Sequence, residues 1–230
     1  FTTFIFAQQT KFVDFKTVSG QLSLNAKEKS VSGTVDYQFE VLKPIDTIKI
    51  DAQNMEFTKV QTDGRKAVFV NTGKQLQVMG NFQKEKNHLT FEYIVKPKQA
   101  LYFVAIENSE VQIWTQGQGK YTSNWFPSFD DVNEKVIFNL GINYDAGYQV
   151  ISNGILKDKT SNGNSNHWQY AMEKPMSSYL LMLAIGKFDK KELKAKSGIP
   201  LEYYLEHNDL DRFEPTYRYS KRIFDFLEKE

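Results

Sequence analysis

The chain has 230 residues (26.7 kDa), 40% hydrophobic and 25% charged, which is an ordinary composition for a folded protein with a substantial core. It has no cysteine, which excludes disulfides, thiolate metal sites and a cysteine nucleophile. A net charge of +1 offers no electrostatic footprint for nucleic acid or an anionic membrane.

Phe1 to Ala7 is apolar and ends in a small residue before Gln8-Gln9. It fits the tail of a signal peptide cleaved after Ala7, which would make the protein exported or periplasmic. Otherwise it is an ordinary lead in a cytoplasmic protein, and residues 1–11 are set apart as a lead on either reading.

From residue 12 period-two alternation dominates. Val31, Val35, Tyr37, Phe39 and Val41 share one face, with Gly33 in the same register. Leu89, Phe91, Tyr93 and Val95 repeat the pattern, as do Val136, Phe138, Leu140 and Ile142. Shorter strands are predicted at 47–51, 67–70, 76–79 and 149–152. Asp63-Gly64, Thr72-Gly73, Gly80-Asn81, Asn153-Gly154 and Asn162-Gly163 supply turn residues between them. The 18 Phe and 12 Tyr suit pleated surfaces. The expectation is mainly β: an antiparallel sandwich or saddle over residues 12–189.

Tyr179 to Ile185 is apolar on both faces and reads as a fully buried strand. As the longest apolar run it is far short of the ~18 residues of a membrane helix. The character changes near Phe188. A lysine-rich stretch ends at Ser197-Gly198, a strand is predicted at 200–205, and a helix at 212–230 with Phe213, Tyr217, Phe224 and Leu227 on one face. Asp209 or Asp211 stands near its start, and Pro215 suits a first turn. Residues 190–230 are expected to begin a second domain, with the chain stopping inside the polar end of that helix.

Little catalytic chemistry is visible. His88, His167 and His207 are far apart, with no pair spaced to present two imidazoles to zinc from one helix, so they are read as strand or surface residues. No nucleophile elbow, phosphate loop or dinucleotide fingerprint occurs. Asp130-Asp131 follows Pro127 and reads as turn capping. Trp114, Trp125 and Trp168 would make a sugar platform only on a common face; core or interface packing is the simpler reading.

One segment is richer in special residues than a plain connection needs. In Trp114-Thr-Gln-Gly-Gln-Gly119 two amides flank a glycine. In extended backbone Gln116 and Gln118 point to one side. The glycines permit close approach by a ligand, and two carbonyl oxygens suit an ammonium, which offers only donors. The alternative is a turn whose glutamines face water.

These residues carry a resemblance. The 114–119 segment, then Asn124-Trp-Phe-Pro-Ser-Phe-Asp-Asp131 and Lys135-Val-Ile-Phe138, resembles the signature stretch of the amino-terminal domain of M1-family zinc aminopeptidases. Ser32-Gly-Thr-Val35 with Leu42-Lys-Pro-Ile45 is similar to its opening strands. Val150-Ile-Ser-Asn-Gly154, Pro175-Met-Ser-Ser-Tyr-Leu180 and Ala184-Ile-Gly-Lys-Phe188 are similar to its later ones. The ordered set spans about residues 12 to 230. Ser128, Asp131 and Val132 stand where relatives often have Cys, Glu and Pro.

The resemblance implies a β-saddle followed by the first strand and helix of an α/β, thermolysin-like catalytic domain. That domain's Gly-x-Met-Glu-Asn and His-Glu-x-x-His motifs do not occur here. Zinc would therefore belong to the full-length parent, with no metal ligand or catalytic residue in this chain, which should be inactive alone. By resemblance Gln118, with Gln116 beside it, helps hold the free α-amine of the peptide substrate. Many relatives have Glu where Gln118 stands, so here a dipole replaces a charge. The implied partners are a peptide N-terminus and the rest of the catalytic domain. Two other functions fit the same residues: a β-sandwich module for glycan binding or adhesion, and an M1-like scaffold without catalysis.

Overall fold

The computed structural model describes residues 9–83, 85–106, 110–206 and 209–230. The leader reading of Phe1–Ala7 and the histidine at 207 fall outside them. The chain divides into two compact units, one ending at Ile185, the other formed by Gly186–Glu230 with Gly147–Gln149.

The first unit is built on a nine-stranded sheet. Its neighbours run in the order Ile155–Asn162, Ser165–Ala171, Lys135–Asp145, Val13–Asn25, Ser30–Val41, Lys86–Val95, Glu56–Thr62 and Arg65–Lys66, with Met176–Ser177 beside Lys135–Asp145. The pairings are antiparallel except one. Val13–Asn25 runs parallel to Lys135–Asp145, with Thr17 opposite Ile137. A three-stranded sheet joins Ile45–Asp51, Gln75–Phe82 and Val68–Asn71. A four-stranded sheet joins Gln149–Ser152, Leu183–Gly186, Val111–Thr115 and Leu101–Ala105. The mainly β, largely antiparallel expectation holds.

The alternating residues become the core. Val31, Val35, Tyr37, Leu89, Phe91, Val136 and Ile142 are all at 0% exposure, as are Ile48, Ile50, Leu76 and Val78 of the three-stranded sheet. Phe15 packs on Phe129 at 4.4 Å between ring centroids and meets Tyr37 edge-on at 5.4 Å. Offset and edge contacts of this kind add to the area that the rings bury. At Gly33 the alternation lacks a side chain because a Cβ would stand 2.5 Å from the Gln21 carbonyl oxygen.

Two expectations are corrected. Tyr179 to Ile185 is not one buried strand: Ser178–Leu180 is a 3-10 turn, Leu180 is 48% exposed, and the strand begins at Leu183. Side chains occupy the amides ahead of the ladder. Asn153 Oδ1 accepts from the Met182 N–H at 2.6 Å, and Thr115 Oγ1 from that of Leu183 at 2.9 Å. The helix predicted over 212–230 is two helices, Phe213–Tyr217 and Ser220–Leu227. The Ser220 hydroxyl donates to the Tyr217 carbonyl at 2.6 Å, so a side chain holds an acceptor that a continuous helix would offer to a backbone amide.

In the second unit the lysine-rich stretch is a strand, Phe188–Lys194, paired with Pro200–Glu206. Phe213 is buried, its ring 4.9 Å from that of Tyr203 and beneath the Lys191 ammonium at 3.9 Å.

Candidate functional site

Val111–Thr115 sends Ile113 into the core at 0% exposure, while Trp114 stays 38% exposed on the other face. Trp114 lies opposite Tyr102 in register, with ring centroids 4.8 Å apart. The Gln116 N–H donates to the Ala100 carbonyl at 2.8 Å, which carries the ladder one residue past the strand. Gln116 therefore shares the face of Trp114. Gly117 is buried, and the backbone then turns, with Gly119 at φ +93° and Lys120 at φ +72°. The Tyr121 N–H closes the turn on the Gly117 carbonyl at 3.2 Å. Gln118 lies in this turn, so the turn sets its direction and strand parity does not. Gln116 and Gln118 are both exposed, and neither side-chain amide has a hydrogen-bond partner among the described residues.

The segment after the turn is anchored from several directions. Thr122 and Ser123 are buried in a 3-10 turn, Thr122–Asn124. The Thr122 hydroxyl donates to the Ser178 carbonyl at 2.9 Å, and the Ser123 hydroxyl to Asp130 Oδ2 at 3.2 Å. Trp125 and Phe126 are fully buried. The Tyr93 hydroxyl donates to the Trp125 carbonyl at 3.1 Å. Ser128 exchanges both backbone hydrogen bonds with Asp51, at 2.9 and 3.0 Å.

The two aspartates differ. Asp131 Oδ1 accepts from the Asn133 N–H at 3.0 Å, which is the expected turn capping. Asp130 is instead tied to the interior. Its N–H donates to Asp51 Oδ2 at 2.8 Å, and burial, then the Asp51 carboxylate, pushes its carboxyl up to about 6. Glu134 escaped the sequence reading, because nothing local marks it. It is only 5% exposed, accepts from the Phe15 N–H at 3.2 Å, and is pushed by burial up to about 7. A cavity of about 180 Å³ beside it is also lined by Lys49, Asp51 and Asp131. Among the described residues no three His, Asp or Glu side chains come together in a way that would hold a metal ion.

His88 and His167 lie on exposed faces of strands, His167 paired with Asn143 at 2.9 Å. The tryptophans share no face: Trp125 is 0% exposed and Trp168 2%, against 38% for Trp114.

Comparison with known proteins gives the chain a family. The family model described as "Peptidase M1 N-terminal domain" matches residues 18–180. Glutamyl aminopeptidase of Mus musculus is 29% identical over 45% of this chain and 11% of its own length. "Probable aminopeptidase 1" of Sulfurisphaera tokodaii is 25% identical over 67% of this chain and 20% of its own. Glutamyl aminopeptidase of Sus scrofa is 22% identical over 88% and 24%. The matched stretch is thus a quarter or less of these curated relatives. Among solved structures, an M1 zinc metallopeptidase from Deinococcus radiodurans bound to a Tyr-Ser-Ala substrate superposes with a TM-score of 0.72. It shares 15% identity over 84% of this chain and 47% of that one, a likeness of fold.

Proposed function

The chain belongs to the M1 peptidase family, as its amino-terminal domain, and we propose that it serves a zinc aminopeptidase by helping to hold the free α-amine of the peptide substrate. The observation that carries this reading is the pair of exposed glutamines around buried Gly117, their amides without partners among the described residues. A buried ammonium needs acceptors, and a glutamine carbonyl oxygen is one. Gln118 supplies the acceptor and Gln116 stands beside it on the ladder. The full negative charge opposite the ammonium would come from the catalytic domain.

In this reading residues 190–230 begin that catalytic domain, and the remainder of the active site lies in the same polypeptide. The zinc would supply a Lewis acid and an activated water there. Among the described residues no cluster of three His, Asp or Glu side chains suits a zinc ion. Its part is recognition, which restricts cleavage to the first residue of a peptide. No helix among the described residues is long and apolar enough to cross a membrane.

The glycan-binding alternative loses its main support with the tryptophans, two of which are buried away from Trp114. A non-catalytic M1-like scaffold is separated by one observation and one assay. Reading the coding sequence beyond Glu230 should reveal His-Glu-x-x-His within about the next hundred codons. The full-length protein should release amino acids from free-amine substrates and spare amino-blocked ones. A missing zinc motif, or equal cleavage of blocked and free peptides, overturns the proposal.

A further inference from the structure

The turn that carries Gln118 is held from behind at one point. A Cβ on Gly117 would stand 2.7 Å from Thr122 Oγ1 and 2.7 Å from the Tyr179 carbonyl oxygen. Thr122 is 1% exposed, and its hydroxyl donates to the Ser178 carbonyl at 2.9 Å. Consecutive carbonyls of one 3-10 turn thus do two things: Ser178 fixes the Thr122 hydroxyl, and Tyr179, with that hydroxyl, walls in Gly117. The Tyr121 N–H then ties the far side of the turn back to the Gly117 carbonyl at 3.2 Å. Gln118 itself is exposed and its side chain makes no hydrogen bond to any of this, so its direction follows its backbone.

Ser123, the next residue, provides a contrast. It is equally buried, at 0%, but its hydroxyl bonds Asp130, and none of its atoms is among the three nearest a Cβ on Gly117. Two adjacent buried hydroxyls therefore serve two different ends.

We infer that Thr122 is a positioning residue: by clasping Ser178 and backing Gly117, its hydroxyl sets the direction in which Gln118 presents its amide to the substrate ammonium. This rests on the reading that Gln118 accepts from that ammonium. A recognition group works only when its support holds it within about 0.5 Å of the productive geometry. Replacing Thr122 by Val keeps the shape but removes one of the two donors to the buried Ser178 carbonyl, leaving it only the Leu181 N–H at 2.9 Å. The side chain at 122 then backs Gly117 without the hydrogen bond that fixes it to Ser178.

The test is steady-state kinetics of the full-length enzyme on a free-amine aminoacyl-arylamide, with melting temperatures in parallel. Thr122→Val should raise KM about fivefold or more, with kcat within about twofold, as for lost ground-state binding. Thr122→Ser, which keeps the hydroxyl, should restore KM. Ser123→Ala should lower the melting temperature and leave KM unchanged. In a Gln118→Ala background Thr122→Val should add nothing, a coupling that a merely structural role does not produce. If Thr122→Val does not fold, Gly117→Ala, which pushes the same turn off its wall, should show the same KM effect and the same loss of effect without Gln118. The inference is overturned if Gln118→Ala raises KM and Thr122→Val does not, or if Thr122→Val costs as much without Gln118 as with it. Wild-type kcat/KM in Gln118→Ala removes the amine reading itself, and the inference with it.

Discussion

The hydroxyl of Tyr37 donates a 2.6 Å hydrogen bond to the backbone carbonyl of Pro127, 90 positions along the chain. Both ends are buried, Tyr37 at 0% exposure. The bond fastens the Trp125-Phe126-Pro127 segment, and the glutamine turn ahead of it, to the centre of the nine-stranded sheet. Tyr37→Phe keeps the ring contacts with Phe15 and Phe129 and removes only the donor. An orphaned buried carbonyl costs about 1–3 kcal/mol. Chemical denaturation should show that loss with an unchanged m-value; a variant as stable as the parent protein would mean that the carbonyl finds another donor.

Gln118 is the residue on which the proposed function turns. Gln118→Ala in the full-length enzyme should lower kcat/KM about tenfold or more, corresponding to ~1.4 kcal/mol of transition-state binding. Gln118→Glu should retain activity, and Gln116→Ala should cost less than Gln118→Ala. Kinetics on a free-amine substrate, with folding checked by melting, decides it. Wild-type kcat/KM in a folded Gln118→Ala enzyme would leave the two glutamines as a solvated turn.

Glu134 makes stability depend on pH. Burial raises its carboxyl from the ordinary 4.5 to about 7, with Asp14 and Asp131 adding to the rise and the Phe15 N–H and Lys16 opposing it. Asp130 moves the same way, from 3.8 to about 6. A raised acid binds its proton more tightly in the folded state. The stability that this gives is complete below the unfolded pKa and is lost as pH rises through the folded one. The melting temperature should therefore fall between about pH 4 and pH 7 from these two groups. Glu134→Gln keeps an acceptor for Phe15 and removes the buried charge. It should raise the melting temperature at pH 8 by roughly 2–4 °C per kcal/mol recovered and change it little at pH 4.5. An equal shift at both values would contradict the assignment.

The helix Ser220–Leu227 should exchange its amide hydrogens far faster than the Val136 to Ile142 strand segment. Ile223, Phe226 and Leu227 are 57%, 59% and 65% exposed, whereas Val136 and Ile142 are fully buried. An eight-residue helix draws its stability from packing, and this face has little. Equal protection in a monomeric sample would show that something covers it.

What the sequence reveals and what it hides divide along sequence separation. Tyr37, Phe91 and Val136 are legible because alternation is local and each strand carries its own burial pattern. The strand Ile155–Asn162 is not, since all eight of its residues are exposed and only pairing with Ser165–Ala171 defines it. Tyr179 to Ile185 misleads because the amides of Met182 and Leu183, within it, bond distant side chains. Glu134 and Thr122 are invisible for the same reason: their partners, Phe15 and Ser178, lie 119 and 56 positions away. The two glutamines are legible as a cluster and a turn is one of their two readings; that Gln116 stays on the ladder while Gln118 lies in the turn is not legible.

The parallel pairing of Val13–Asn25 with Lys135–Asp145 has a consequence during synthesis on the ribosome. The first strand can pair with Ser30–Val41 almost as soon as both emerge, but its other neighbour, Lys135–Asp145, begins only 94 residues past Val41. For that interval the nascent chain displays an open strand edge beside an apolar face containing Phe15, Val18 and Leu22, a surface that invites pairing with other chains. Messages or proteolytic fragments ending before residue 135 should thus yield polypeptides that depend on chaperones. Those reaching past Asp145 can occupy that edge themselves.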